Sequence, residues 1–510
     1  MQLRLSDRPR TLSHAESQRV FDAAVEVFRS VTATIDGPEE FMQPLAEFGC
    51  DIDGKSVRFG PKVVEAVLGR IAERKAENDA RSASSGDKQS KGEEPGFDPS
   101  TSYEAPTPDD DIASSRRLRP QASGQGLIWH DPFTDEIRPA TKDDLIAFSH
   151  MCDALEIERA HPTILPNDVP PAVRDVWTFG LITLHSRRPW RVSVYSKEAV
   201  KYFVEIARIA LGSTDAIKRN EVFAAKVWIN SPFMISRDTI DYAMEARRLL
   251  GWPLSFASMP VMGSSTPVTI AGCVAQSLAE SFMANALSLA IDDRLEGLTS
   301  SPLAFDMKFG APNESGPDAM LARIAMVDVA EHVFGGSIPC PAIPSTMAKK
   351  PGAQSVFEKF MGMFIGVMGG ARSFGAMGRL AAGDVGSPVQ LLIDLEMVRA
   401  LQRFLDGTTV DDPRLAVSVI LDTVPKGARY LEVDHTAEYL RTELWQHELL
   451  DRRMPFAWLE NPTTLVDNAR ERACCLLDTS PNQCPLTDAQ QREILRLIEE
   501  ATREIADAGQ

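Results

Sequence analysis

The chain has 510 residues, 44% hydrophobic and 25% charged, the balance of an ordinary globular protein long enough to bury a sizeable core. Its 72 acidic against 54 basic residues give a net charge of −18, which opposes broad contact with nucleic acid or anionic lipid. No window reaches the roughly 18 apolar residues that span a bilayer, and MQLRLSDRPRTLSHAES lacks the apolar core of a signal peptide, so a cytoplasmic location is expected.

Seven scattered cysteines (Cys50, Cys152, Cys273, Cys340, Cys474, Cys475 and Cys484), none in CxxC spacing, read as reduced thiols rather than a disulfide framework. With eight histidines spread along the chain, no bound metal is expected.

Ser13 and Glu16 form a capping box, and Val20, Ala24, Val25 and Phe28 recur at helical spacing, which predicts an amphipathic helix over 13–31. A second helix ends near Gly49. Cys50 to Phe59 alternates around the hairpin signal Asp53-Gly54, and Pro61 opens a helix to about Arg74. Residues 1–74 therefore read as a small N-terminal α+β module. From Lys75 to Asp111 there is no Leu, Ile, Val or Met, too little apolar surface to offset ordering entropy, so 75–120 is expected to be a disordered insert or linker. A docking tail for a partner is the functional alternative for this stretch.

Residues 121–510 alternate short apolar runs with helical segments, the pattern of parallel strands joined by crossover helices. Eight strands are expected: Arg159–Leu165, Trp190–Val194, Lys226–Ser231, Leu254–Pro260, Gly297–Phe305, Ser337–Ile343, Ala371–Gly378 and Tyr430–Val433. Helices are expected at Lys197–Leu211, Asp238–Leu250, Ala271–Ile291, Asp318–Phe334, Gln354–Met368 and Val389–Leu405. Eight repeats favour an α/β fold of the (β/α)8 TIM-barrel class, with its active site at the C-terminal strand ends. Thr487 and Gln490 cap a C-terminal helix running to about Ala506.

After the fourth expected strand comes MPVMGSSTPVTIAG, Met259 to Gly272. Gly263, Ser264, Ser265, Thr266 and Thr269 there let a ligand approach the backbone closely, beside the free N–H groups of a helix start. The same composition also makes a plain βα loop.

GSSTPVTIAG resembles the G-x-T-x-P-V-T-x-A-G stretch of the trimethylamine methyltransferase family, with Ser265 at the first Thr position. LAEFGCDIDGKSVRFGPKVVEAVL, DPFTDEIRPATKDDL, INSPF, AFDMKFGAPNES, GAQSVFEK, LLIDLEMVRALQRFLDG and LEVDHT resemble further family stretches in the same order. The resemblance covers about residues 38–74 and 125–460. It implies a barrel that passes a methyl group from a methylated amine to the Co(I) of a cobalamin, with the corrinoid carried by a separate partner protein and pressed against the Gly263–Thr269 loop. A homo-oligomer fits as well.

Family members that act on trimethylamine carry pyrrolysine inside the barrel, whereas this chain has only standard residues. The resemblance is therefore to the non-pyrrolysine branch, which includes glycine betaine methyltransferases, and implies a quaternary or other N-methylated amine. A quaternary nitrogen leaves as a neutral amine, so no general acid is required, and no catalytic residue is assigned.

A trimethylammonium group is held by aromatic faces, each worth about 0.5–2 kcal/mol. Trp228, Phe233, Phe256, Phe305 and Phe374 lie at expected strand ends, although each also suits core packing. A substrate carboxylate would call on Lys308, Arg372, Arg379 or His435. Asp394 and Glu396, two apart, do not share a helical face, whereas Gln354 and Glu358, four apart, do.

Where many relatives show Thr-Asp-x-Lys and then Asp-x-Gln-x-Gly, this chain reads Ser345-Thr346-Met347-Ala348-Lys349 and Gly352-Ala353-Gln354-Ser355-Val356, losing two acidic positions. The sequence also leaves open a non-catalytic betaine-binding paralogue, acting as sensor or scaffold, and an unrelated barrel enzyme.

Overall fold

The computed structural model describes residues 9–84, 117–122, 124–157, 159–160, 164–187, 191–220, 222–340 and 344–506. Ser13 caps α1 (His14–Ser30) through the expected box with Glu16, and Val20, Ala24, Val25 and Phe28 are buried along one face. β1 (Thr32–Ile35), α2 (Glu39–Phe48), β2 (Cys50–Asp53) and β3 (Ser56–Phe59) follow. Gly49, at φ 109°, closes α2 with its N–H on the Ala46 and Leu45 carbonyls, and the turn at Gly54 sets Asp53 opposite Ser56.

α3 (Pro61–Ser84) continues past Arg74, where the sequence placed its end and the start of the insert. The added turns carry no large aliphatic residue, and polar bonds hold them instead. Lys75 Nζ lies 2.6 Å from Asp79 Oδ2, Asn78 Nδ2 donates to the Phe334 carbonyl at 2.9 Å, and Asp79 Oδ1 accepts from Gly336 N–H at 3.1 Å. Residues 85–116 of the expected insert lie outside the described residues, and its last two residues begin a strand.

The body opens with β4 (Arg119–Ala122), β5 (Ile128–His130), β6 (Ile137–Pro139), α4 (Lys142–Ala154), β7 (Arg159–Ala160) and α5 (Arg174–His185). Next come β8 (Val192–Ser193), α6 (Lys197–Leu211), α7 (Thr214–Asn220), β9 (Phe223–Ala224), β10 (Val227–Ile229), β11 (Met234–Ile235) and α8 (Arg237–Leu250). β12 (Phe256–Ser258), β13 (Val261–Met262), α9 (Ile270–Asp292), β14 (Leu303–Asp306), β15 (Ala311–Asn313), α10 (Pro317–Phe334) and α11 (Ala353–Met368) continue it. β16 (Ser373–Met377), β17 (Arg379–Leu380), β18 (Val385–Gly386) and α12 (Pro388–Asp406) precede a run of helices. These are α13 (Asp412–Leu415), α14 (Val417–Lys426), α15 (Asp434–Glu443), α16 (Pro455–Glu460), α17 (Leu465–Thr479) and α18 (Asp488–Ala501).

The chain is a mixed α/β protein with short strands set among helices. Parallel ladders join β16 to β4, β4 to β7, β8 to β9, β10 to β12 and β13 to β14, and an isolated parallel bridge ties Ser258 to Ser300. The six expected body helices form within a residue of their expected ends.

Three expectations are corrected. Tyr430–Glu432 is a single 3-10 turn whose Tyr430 and Leu431 are exposed, without the sheet neighbours a strand needs. Arg119–Ala122 is instead paired on both sides, by β16 and β7; its Arg-Pro-Gln-Ala sequence has little strand propensity of its own, and pairing decides its conformation. Residues 337–340 are not strand, and 341–343, like Trp190 and 161–163, lie outside the described residues.

The N-terminal module shares the body's core. β1 pairs in parallel with β11, and Phe28 packs its ring 4.9 Å from Phe59 and 6.0 Å from Phe282 of α9. At the other end of the chain, Ile494, Leu497 and Ile498 of α18 are buried, with Ile498 so close to Gly180 of α5 that a Cβ there would lie 2.3 Å from its Cδ1.

Candidate active site at the strand ends

Side chains alternate between the two faces of a strand, and register partners in a parallel ladder project to the same face. Ser258 Oγ lies 2.5 Å from Ser300 Oγ, which accepts at 3.1 Å from Ser281 Oγ of α9, so this face looks onto the helix. Phe256 is on that same face, is 2% exposed and belongs to the main core. Trp228 pairs with Ala257 and projects the other way, half-buried.

β10 leads into Ser231 and Phe233. Phe233 is buried at φ 52°, and its carbonyl accepts from Thr34 N–H of β1 at 3.0 Å. Ser231 Oγ donates to Glu280 Oε2 of α9 at 2.7 Å, and Gln276 Nε2 bridges Glu280 Oε1 at 3.2 Å to the Ser265 carbonyl at 2.9 Å. This network ties two strand ends together. Burial pushes the Glu280 carboxyl above its usual range, although Ser231, Gln276, Ser258 and the Phe233 N–H all donate towards it.

The Gly263 loop is a closed turn. Ser265 Oγ accepts from Val261 N–H at 2.9 Å, Gly263 N–H donates to the Thr266 carbonyl at 3.0 Å, and Thr269 stands at the N-cap of α9 with its side chain unbonded to the helix. Ser264 and Thr269 are exposed, and Thr266 is buried beside Cys273. Gly263 has φ 89°, and a Cβ there would lie 2.8 Å from Met307 Cε, so this loop abuts the one after β14. Val268, Met307 and Phe309 form an apolar rim, 66%, 64% and 74% exposed. Lys308 Nζ stands 5.2 Å from the Phe309 ring centre, and Phe305 is half-buried opposite Pro312 of β15.

The structure thus joins Ser231, the backbone of Phe233, the Gly263–Thr269 loop and the β14 end that carries Phe305 and Lys308, while Trp228 lies just before Ser231 on β10 and the Phe233 ring is in the main core. Phe256 and Phe374 are fully inside the hydrophobic core, so neither takes the strand-end place expected of it. His435 sits on α15, its Nε2 3.1 Å from the Pro413 carbonyl and its ring 4.6 Å from that of Tyr439, because the strand meant to present it is a helical turn.

A second network went unrecognised in the sequence. Lys359 of α11 and Asp394 of α12 are both fully buried and 2.5 Å apart, and Asp394 also accepts from Gly378 N–H and Gln390 Nε2, each at 2.7 Å. Lys359 Nζ donates further to the Ala376 carbonyl at 3.1 Å. Burial draws Asp394 up and Lys359 down, and their contact opposes both. Glu396, facing elsewhere as its spacing requires, accepts from Glu448 N–H at 2.9 Å. Glu358 reaches from α11 to Thr346 Oγ1 (2.5 Å) and Met347 N–H (2.8 Å), and accepts from Gln354 at 3.0 Å.

His130 is wholly buried between Ser387 Oγ and Asp135 Oδ1, each at 2.8 Å. Burial lowers its pKa, against the pull of Asp135. Burial also works against charge on Asp135, but His130, Lys350 and Arg470 outweigh it and hold that carboxyl at about 2. His130 directly precedes the DPFTDEIRP stretch, the one sequence signal that pointed to it. Among the described residues no group of three or more His, Cys, Asp or Glu is arranged to hold a metal ion, and no helix is long and apolar enough to cross a membrane.

The family described as Trimethylamine methyltransferase (MTTB) matches residues 131–506. The trimethylamine methyltransferase MttB of Desulfitobacterium hafniense is 26% identical over 390 residues, 75% of this chain and 76% of that protein. MttB1 and MttB2 of Methanosarcina mazei, both named trimethylamine methyltransferases, are 27% and 26% identical over 263 and 313 residues. These alignments take in 51% and 60% of this chain and 52% and 61% of the two relatives. Because the match runs through β10, the Gly263 loop, the β14 rim and both buried networks, the chain belongs to the trimethylamine methyltransferase family and is a methyltransferase.

Proposed function

We propose that the chain is a closed (β/α)8 barrel that transfers a methyl group from a quaternary, glycine betaine-like amine to the cobalamin of a separate corrinoid protein, in the cytoplasm. The parallel pairing of β4, near the start of the body, with β16, near its end, supports closure, since barrel strands meet first to last. In this reading 9–84 form the N-terminal module, and β4 opens the barrel that 121–510 were expected to contain.

The observations that support the function are, within a matched family, Trp228 on the face away from α9 and an exposed apolar rim of Val268, Met307 and Phe309 at the loops after β13 and β14. An apolar rim of this kind suits a partner that docks and excludes water, and an indole face suits an ammonium head. Glu280, Glu358 and Asp394 each accept several internal hydrogen bonds, which fits a positioning role and a reaction whose leaving group needs no proton. The relatives are named for trimethylamine; the lack of pyrrolysine here favours a quaternary substrate.

The test is methyl transfer to free cob(I)alamin across a panel of methylated amines, followed by absorbance. Methylcobalamin formed from one quaternary amine and not from trimethylamine is the expected result. Silence across the panel, repeated with corrinoid proteins, would overturn the proposal in favour of a ligand-binding paralogue.

A further inference from the structure

We propose that two copies of this chain pair by exchanging an arm, α14 of each seating on α11 of the other. The arm follows α12. Gly378, at the end of β16, accepts from Ser387 N–H at the start of α12, whereas Gln402 near its end accepts from Leu118 N–H just before β4. α12 therefore runs back along β16 and β4, and in the proposed barrel the arm leaves at the opposite end from the Gly263 loop. A partner at the strand-end rim does not cover it.

Val417, Ile420, Leu421 and Val424 recur along α14 at the i, i+3, i+4, i+7 spacing of a buried stripe, yet they are 44–68% exposed. Leu415, Leu431, Leu440 and Leu444 around them are exposed too, and Thr423 is the one buried residue between 410 and 444. The arm is nonetheless well anchored at its root. Arg414 bonds Glu443 at 2.9 Å, and Arg403 Nη2 donates to the Glu443 carbonyl at 2.8 Å.

α11 offers the matching face. Phe357, Phe360 and Phe364 form a stripe at i, i+3, i+7 that is 38–70% exposed, extended by Phe404, whose ring lies 6.1 Å from that of Phe364. Its two charged side chains, Glu358 and Lys359, both turn inward to bonds already described, so the outer face carries no charge at all. A solvent-facing helix surface ordinarily does. On α14 the charges Asp422 and Lys426 neutralise each other at 2.5 Å.

The exposed apolar side chains of arm and stripe amount to on the order of 1,000 Å² per chain, more than the largest patch of a typical monomer and enough for the roughly 800 Å² per partner of a stable interface. Both halves of the contact lie on one chain, so two copies close upon each other in an isologous pair and leave no open end.

Sedimentation equilibrium of the full chain at micromolar concentration should give twice the mass of one chain, and Leu421→Glu should give a single chain with unchanged circular dichroism. Should that variant fail to fold, the double variant Phe360→Cys/Leu421→Cys decides: oxidation should yield a covalent dimer that neither single variant gives. A monomeric wild type at tens of micromolar, a folded Leu421→Glu that remains dimeric, or a disulfide between positions 360 and 421 of the double variant formed only within one chain would each overturn the exchange.

Discussion

Methionine in place of Lys359 removes a cation that makes its closest contact, at 2.5 Å, with Asp394 in a fully buried setting. Asp394 would keep its bonds from Gly378 and Gln390 but lose its counter-charge, a change that costs about 3–5 kcal/mol when one partner of a buried pair is deleted. Asp394→Asn alone should cost a similar amount, because Lys359 then keeps only neutral acceptors, the amide oxygen and the Ala376 carbonyl, and no counter-charge. The double variant loses both charges while the amide still accepts from Gly378 N–H, so it should fall short of the summed single losses by about 2–3 kcal/mol.

Urea unfolding followed by circular dichroism measures all four proteins. In Lys359→Met the pKa of Asp394, already raised by burial, is freed from its opposing cation. A carboxyl whose folded pKa lies above its unfolded value loses stability as pH rises between the two, so this variant should be less impaired at pH 5 than at pH 8. Single losses that add in the double variant, or a cost below about 1 kcal/mol that is flat in pH, would refute the assignment of a charged, coupled pair.

Trp228→Ala should raise KM for the quaternary amine by about 2- to 30-fold, the worth of one cation–π contact, while Phe256→Leu lowers the urea midpoint and leaves KM alone; the reverse pattern in steady-state kinetics would displace the indole from the site. Phe309→Ser, at a 74% exposed position, should slow transfer to a corrinoid protein without changing transfer to free cob(I)alamin or thermal unfolding, and equal slowing of both transfers would remove the rim from docking. His185 is held at about 4 by burial and then by His150, so between pH 6.5 and 4 the unfolded chain binds a proton that the folded chain does not, and stability falls as pH falls. A fully shielded drop of that size is worth about 3 kcal/mol, and solvent at the half-buried ring reduces it to about 1–2 kcal/mol; His185→Gln should flatten the acid limb of the urea midpoint by that much.

Local signals were legible where local physics decides. The helices α6, α8, α9, α10, α11 and α12 show strong caps or regular apolar spacing and lie where the sequence put them, and the Asp53-Gly54 hairpin and the Thr487 cap do likewise. What failed depends on distant partners. β4 is a strand because β16 and β7 flank it, and α3 persists to Ser84 because Asn78 and Asp79 find the end of α10. Apolar run length could reveal neither. Among the site residues, Phe256 opens β12 rather than ending it and faces the core, since the parity of a three-residue strand is set by Ser258 meeting Ser300 across the sheet. Spacing separated Asp394 from Glu396, but nothing in the sequence pairs Asp394 with Lys359, which meet only because α11 and α12 lie side by side.

Stretch 345–358 is held by side chains that reach it from α11. Where relatives place Asp, this chain has Met347, yet the Met347 N–H and Thr346 Oγ1 are bound by a carboxylate all the same, supplied by Glu358 from within α11. Gly352, at the second position that lacks the acidic residue of the resembling pattern, has no side chain to offer, and Ser355 Oγ accepts its N–H at 3.0 Å. The backbone of the loop is thus held by Glu358 and Ser355, and Met347 and Gly352 leave no carboxylate at those two positions. A protonated tertiary amine carries an N–H that calls for such an acceptor; a quaternary ammonium carries none, and its charge is met as well by the face of an indole. On the proposed function, the exchange of Asp for Met at position 347 and the half-buried Trp228 point to the same class of substrate.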